Sequence, residues 1–179
     1  IALINKSSSS EKFLNALDKI LLNSKKPVIL VSSGPKTIEA ALKKCSDKRP
    51  LVHAADSDNL KDMCAVTKAY KAPLALKAKN LEELDKLSQE ASGLGIEEIV
   101  LDPGFKTLHG ALNDLTQIRR LSLKRNYRPF GFPVIMFIKN AGKHQAVVDS
   151  CTFIAKYASL IVLDSIEEDV LLPIITMRQ

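Results

Sequence analysis

PVILVSSGPKTIEAALKKCSDKRPLVHAAD, residues 27–56, contains one complete structural unit and the start of the next. It opens on a continuous apolar run after Pro27, passes through Ser32-Ser33-Gly34-Pro35, and then changes period. Ile38, Ala41, Leu42 and Cys45 recur at i, i+3, i+4 and i+7, which puts an apolar stripe along one face of a helix. Gly34-Pro35 suits the entry to that helix, because a first-turn residue has no intrahelical use for the N–H that proline lacks. A second proline, Pro50, then introduces another short apolar run. Apolar run, loop, amphipathic helix, loop, apolar run is the signature of a β–α–β crossover.

The same alternation extends in both directions. Apolar runs at 1–4, 27–31, 50–54, 73–76, 98–101, 133–138 and 160–163 predict seven strands. Several are continuously apolar rather than alternating, as expected of strands buried on both faces. Phe13, Leu14, Leu17, Ile20 and Leu21 form one further helical stripe, and Leu81, Leu84, Leu87 and Ala91 another. Ser8 with Glu11, and Asn80 with Glu83, have the spacing of capping boxes. Asp58 is expected to cap the helix carrying Leu60, Met63 and Cys64.

Strands begin about 23–26 residues apart, with one wider interval of about 36. Strict β/α alternation implies a parallel sheet, either open and doubly wound or closed into a barrel. Seven strands with one more lost from the front favour the barrel, and no G-x-G-x-x-G follows any strand to mark a dinucleotide-binding sheet. The expected class is therefore α/β, a (β/α)8 TIM-type barrel lacking its first strand, with residues 1–179 as a single barrel domain. Because the chain opens on Ile1, it is expected to be a piece or the ordered part of a longer protein.

Composition narrows the functional classes. Charged residues at 26% and hydrophobic ones at 46% fit a globular chain, and no apolar run reaches the ~18–20 residues of a membrane helix. No leader is expected, since residues 1–10 lack a basic flank and turn polar at once. The net charge is +6, yet the lysines are scattered over helix faces and aromatic residues make up only 5%, so nucleic acid is not the expected partner. Cys45, Cys64 and Cys151 are odd in number and far apart, which points to a reducing cytoplasm. Without a C-x-x-C, this segment is expected to hold no iron–sulfur cluster or structural zinc.

In such barrels, ligands meet the carboxyl ends of the strands. Those ends supply Asn5, Ser32-Ser33, His53 to Asp56, Lys77, Asp102-Pro103-Gly104, Lys139-Asn140 and Asp164. Asp102 has two open readings: a carboxylate that holds the N–H groups of a heterocycle, or a brace that accepts backbone amides of its own loop. His53 is either an acid–base or ligand residue, or a hydrogen-bonded structural histidine. Lys77 is either a Schiff-base or anion-binding lysine, or simply an exposed strand-end residue. His109 and His144 read as solvated. The run Arg119, Arg120, Lys124, Arg125 and Arg128 has the charge to bind phosphates, but reads rather as a solvated helix face or a protein-contact patch. No Ser–His–Asp motif, P-loop or catalytic carboxylate pair stands out, so none of these patterns by itself marks a catalytic residue.

Five words of the sequence, in order, carry a resemblance: RPLVHAADSDN (49–59), EEIVLDPG (97–104), LNDLTQIRR (112–120), FGFP (130–133) and LLPIITMRQ (171–179). Together they resemble the barrel of the large (gamma) subunit of the corrinoid iron–sulfur proteins of the acetyl-CoA decarbonylase/synthase, or CO dehydrogenase/acetyl-CoA synthase, complex. The resemblance implies a scaffold within a protein that carries methyl from a methyl-tetrahydropterin to the acetyl-CoA synthase cluster. It implies a corrinoid (cobamide) and a 4Fe-4S cluster for the full-length protein, both outside this segment. The implied partners are the small (delta) subunit and the acetyl-CoA synthase and methyltransferase components, with no nucleic acid and no membrane. The sequence is also similar to pterin-binding methyltransferase barrels, which implies Asp102 as the pterin contact; Asp102, Ser33 and His53 are the candidate cofactor contacts at the barrel mouth. A stand-alone pterin-binding methyltransferase is the alternative.

Overall fold

The computed structural model describes residues 1–7, 9–104, 107–138, 142–164 and 166–179. The chain divides into two compact units, Ile1–Lys77 with Lys86–Val100, and Ala78–Asp85 with Leu101–Gln179. All strand pairing among the described residues is parallel.

The first unit contains β1 (Ala2–Ile4), α1 (Ser10–Asn23), β2 (Ile29–Val31), α2 (Pro35–Cys45), β3 (Leu51–Ala55), α3 (Leu60–Tyr70) and β4 (Leu74–Lys77). A short 3-10 turn, Ser46–Lys48, links α2 to β3. The strands lie in sequence order, as short crossovers dictate. Val31 pairs with His53 and His53 with Ala75, and the β3–β4 register slips between His53 and Ala55. The unit ends where the Leu74 N–H donates to the Glu98 carbonyl (2.9 Å) at the start of β5 (Ile99–Asp102). Leu17, Leu30, Ile38, Leu42, Met63, Leu74 and Leu76 are fully buried, so the stripes read from the sequence are the ones that form the core.

The second unit contains the end of β5, α5 (Leu108–Lys124), a 3-10 turn Arg128–Phe130, β6 (Ile135–Ile138), α6 (Lys143–Ala155), β7 (Leu160–Leu163) and α7 (Glu168–Arg178). α4 (Leu81–Gly93) begins in it and ends in the first. The Leu101 N–H donates to the Pro133 carbonyl (2.7 Å), and β6 pairs with β7 from Ile135–Leu160 to Ile138–Leu163. The wide interval of the sequence is occupied by the 17-residue α5 and the turn after it.

Burial qualifies one expectation. β4, β5 and β6 are buried at nearly every position, as continuous apolar runs predict. β1 and β7 are at best half-buried, although their sequences are just as apolar.

The caps also differ in detail. Ser9 caps α1 by accepting the Lys12 N–H, and the expected partner Ser8 lies outside the described residues. Asp58 does not cap α3. Instead Asp56 Oδ1 accepts the N–H groups of Asp58 and Asn59 (3.1 and 3.2 Å), and Asn59 Oδ1 accepts that of Asp56 (2.9 Å). A carboxylate a few residues ahead of the helix thus closes the turn from within. At α4, Asn80 Oδ1 accepts the Glu83 N–H (2.8 Å), and Glu83 Oε2 accepts the Lys79 N–H (2.8 Å). Asn80→Ala breaks the forward half of this cap and is expected to cost about 0.5–2 kcal/mol in urea unfolding.

Candidate functional site: the carboxyl ends of the strands

In the first unit the carboxyl ends are tied to one another by loop hydrogen bonds. The Ser32 N–H donates to the His53 carbonyl (2.8 Å), and Ser32 Oγ accepts the Gly34 N–H (3.4 Å). Ser33 is exposed, and its carbonyl accepts Asn59 Nδ2–H (3.1 Å), joining the loop after β2 to the turn after β3. His53 is the third of five residues in β3 and is only 5% exposed. Ser10 and Thr37 share a hydroxyl–hydroxyl bond of 2.6 Å between α1 and α2. The Asn5 N–H donates to the Val31 carbonyl (2.9 Å). Lys77 closes β4 in an exposed position, whereas a Schiff-base lysine is activated by desolvation.

In the second unit, Asp102 is the last residue of β5 and is 5% exposed. Its Oδ1 accepts the Gly104 N–H (2.9 Å), while its carbonyl accepts the Ala78 N–H (3.2 Å). Gly104 has φ +73°, and a Cβ there would meet the Ala78 carbonyl at a tight 3.2 Å, so both backbone and space favour glycine. Thr107 then caps α5 by accepting the Gly110 N–H (3.1 Å). The carboxylate therefore works at least in part as the loop brace. Asp164 is exposed after β7, and Lys139-Asn140 lie outside the described residues.

The remaining candidates sit apart from these loops. His109 and His144 are exposed on α5 and α6. The Arg119–Arg128 run is exposed on the last turns of α5 and on the 3-10 turn after it. No pattern in the sequence singled out the buried pair Asp149 and Ser150 on α6, where Gln145 Nε2–H donates to Asp149 Oδ1 (2.7 Å).

No three His, Cys, Asp or Glu side chains group at metal-binding distance among the described residues. The three thiols are free. Cys45 Sγ donates to the Ala41 carbonyl (3.2 Å), and burial pushes its thiol pKa up. Burial, with the Glu90 charge adding to it, pushes Cys64 up to about 11. A folded protein that keeps Cys64 protonated where an unfolded thiol ionises loses stability as pH rises between the ordinary thiol value and about 11. At pH 8, iodoacetamide is expected to label half-buried Cys151 first and Cys45 and Cys64 only on unfolding, as read by peptide mass mapping.

Likeness to known proteins covers the whole chain. The solved structures similar to it include dihydropteroate synthase from Thermus thermophilus in complex with 6HMPPP, with a TM-score of 0.68 and 19% identity over 96% of this chain and 78% of that one. Dihydropteroate synthase from Anaplasma phagocytophilum with bound 6-hydroxymethylpterin-monophosphate gives 0.67 and 15% over 97% and 81%. At these identities the likeness establishes the fold: these β/α units are part of a (β/α)8 barrel. The corrinoid/iron-sulfur protein large subunit of Moorella thermoacetica is 34% identical over 100% of this chain and 40% of its own length. The acetyl-CoA decarbonylase/synthase complex subunit gamma of Methanothermobacter thermautotrophicus is 35% identical over 100% and 42%. The chain thus spans about two fifths of the length of these curated relatives. The matching family model, described by the delta subunit although these relatives are large or gamma subunits, extends over residues 1–179. From the first residue to the last, therefore, the chain belongs to the CO dehydrogenase/acetyl-CoA synthase delta subunit family.

Proposed function

We propose that this chain is the barrel scaffold of the large subunit of a corrinoid iron–sulfur protein. That protein carries a methyl group from methyl-tetrahydropterin to the acetyl-CoA synthase cluster. The observation that carries the reading is uninterrupted likeness, at 34% and 35% identity, to a corrinoid/iron-sulfur large subunit and a gamma subunit. The barrel positions its partners, and the reaction takes place on groups held elsewhere. A four-cysteine cluster does not fit this chain, which has three cysteines, two of them buried at α2 and α3 with raised thiol pKa values. The corrinoid and the 4Fe-4S cluster are accordingly assigned to parts of the full-length protein outside residues 1–179.

Asp102 fits this role as the brace of its loop, with Ser33 and His53 as candidate contacts at the strand ends of their own unit. The proposed partners are the small (delta) subunit and the acetyl-CoA synthase and methyltransferase components, in the cytoplasm. No described helix is long and apolar enough to cross a membrane.

The test is methyl transfer by the intact protein isolated from its source. Adding methyl-tetrahydropterin and the methyltransferase component to the reduced protein is expected to shift the corrinoid absorption spectrum. Asp102→Asn is expected to leave that shift in place and to lower stability. A protein with no corrinoid spectrum that still consumed methyl-tetrahydropterin by itself would overturn the proposal.

A further inference from the structure

α5 ends in the densest positive charge of the second unit. Arg119, Arg120 and Lys124 lie on its last turns, Arg125 follows it, and Arg128 opens the 3-10 turn. All five are exposed. A helix C-terminus favours a cation or two near its unsatisfied carbonyls, but that does not account for five. A few exposed cations elsewhere pair with carboxylates: Lys43 with Glu39 (2.9 Å), Lys44 with Asp18 (2.6 Å), and Lys143 with Glu167 and Asp169. Among the described residues, none of the five cations on or after α5 lies within ion-pair distance of a carboxylate. The nearby Asp85 is engaged by the Tyr127 hydroxyl, which lies 2.9 and 2.8 Å from its two oxygens.

Arg119 borders a recess of about 250 Å3, and Arg120, Lys124 and Arg125 border a separate one of about 560 Å3 with Asn113, Gln117 and Leu121. The smaller recess is lined by the buried Leu115, Phe130 and Val134 together with Arg119, Lys156 and Tyr157. The Arg119 guanidinium lies 4.5 Å over the Tyr157 ring, so its position is fixed by stacking. Tyr157 is 61% exposed and holds φ +69°, an unfavourable backbone for a bulky residue. Leu123 adds exposed apolar surface on the same helix. The smaller recess opens at the amino ends of β6 and β7, beside Pro133 and Ser159. Within this unit that is the opposite strand end from Asp102.

We infer that this patch docks an acidic segment of a partner protein, whose carboxylates meet Arg119, Arg120, Lys124 and Arg125. Charge complementarity selects the occupant, since a cluster of cations without carboxylate partners matches a run of carboxylates. Arginine and tyrosine are the side chains that anchor such contacts. Nucleic acid fits less well. A strand needs successive stacking faces, and Tyr157 offers one ring with a face already covered by Arg119. The inference rests on the reading of this chain as one subunit of an assembly, and it adds the surface and the chemistry of what binds there.

The test has two parts, both on the intact protein. Fluorescence anisotropy follows a labelled peptide of glutamates, beside a lysine analogue and a single-stranded RNA of similar length. The expected result is binding of the acidic peptide alone, weakened about tenfold or more by Arg119→Glu with Arg125→Glu. Arg119→Gln with Arg125→Gln is expected to give a smaller loss, and Lys25→Glu with Lys61→Glu none. Circular dichroism selects the variants that remain folded. In the purified assembly, a photo-crosslinking residue at Leu123 is expected to join an acidic segment of another subunit, identified by mass spectrometry. Undiminished peptide binding after both arginine pairs are changed, tighter binding of RNA, or a crosslink only to this chain overturns the inference. Failure in a protein that still carries cobalt and iron removes the patch and leaves the family role standing. Peptide binding through the patch by a protein without either metal does the reverse.

Discussion

Truncating Phe153 to alanine is expected to lower the unfolding free energy by about 3–5 kcal/mol. Among the described residues Phe153 is the largest side chain with no solvent exposure, and it lies near the end of α6. α6 packs against α7, α5 and β6, so the ring sits where the helices of the second unit meet their sheet. Its removal withdraws a large apolar surface and leaves a space whose walls are held by three elements, which limits how far they can collapse into it. The backbone after it is equally engaged: the Ala158 N–H donates to the Phe153 carbonyl (2.9 Å) as the chain turns into β7. Urea denaturation followed by circular dichroism measures the effect. A loss below about 1 kcal/mol would mean that the second unit is not organised around this residue.

A charge placed at either Ala75 or Leu76 is expected to unfold the first unit. Successive strand residues point to opposite faces, so a strand with one wet face tolerates a charge at one of any two neighbours. In β4 both positions are completely buried, as is Leu74 before them. An aspartate at either one enters a dry core without a partner, a penalty of several kcal/mol and comparable to the whole stability of a small domain. Ala75→Asp and Leu76→Asp should therefore both abolish the cooperative transition, while Lys77→Asp at the exposed end of the same strand should leave it nearly unchanged. A folded Ala75→Asp or Leu76→Asp variant would show that β4 has a solvated face and would contradict the packing of a parallel barrel sheet.

Much of this architecture is legible in the sequence because it depends on local physics. Apolar runs of strand length, stripes at helical spacing, and Pro35 at the head of α2 each act within a few residues, and the elements lie where those signals put them. The capping exchange between Asn80 and Glu83 is equally local. What the sequence conceals depends on distance. Leu160 is as apolar as Leu76 yet 39% exposed, because burial depends on what covers a strand and not on its composition. The turn before α3 is closed by Asp56 rather than Asp58, a choice made by the path of the loop and by the Asn59 bond to the Ser33 carbonyl.

The candidate site divides along the same line. Asp102-Pro103-Gly104 is conspicuous in the sequence, but only the 2.9 Å bond to the Gly104 N–H shows the carboxylate serving its own loop. The run from Arg119 to Arg128 is plain to read. The recess beside Arg119, the Tyr157 ring beneath it, and the capture of Asp85 by Tyr127 across 42 residues of sequence are products of folding.

The central claim, that this barrel is part of a corrinoid iron–sulfur large subunit, is tested most directly by the intact mass and the cobalt and iron content of the protein purified from its source. The account predicts a polypeptide much longer than these 179 residues, carrying both metals. A polypeptide near 19.7 kDa with neither metal would contradict it.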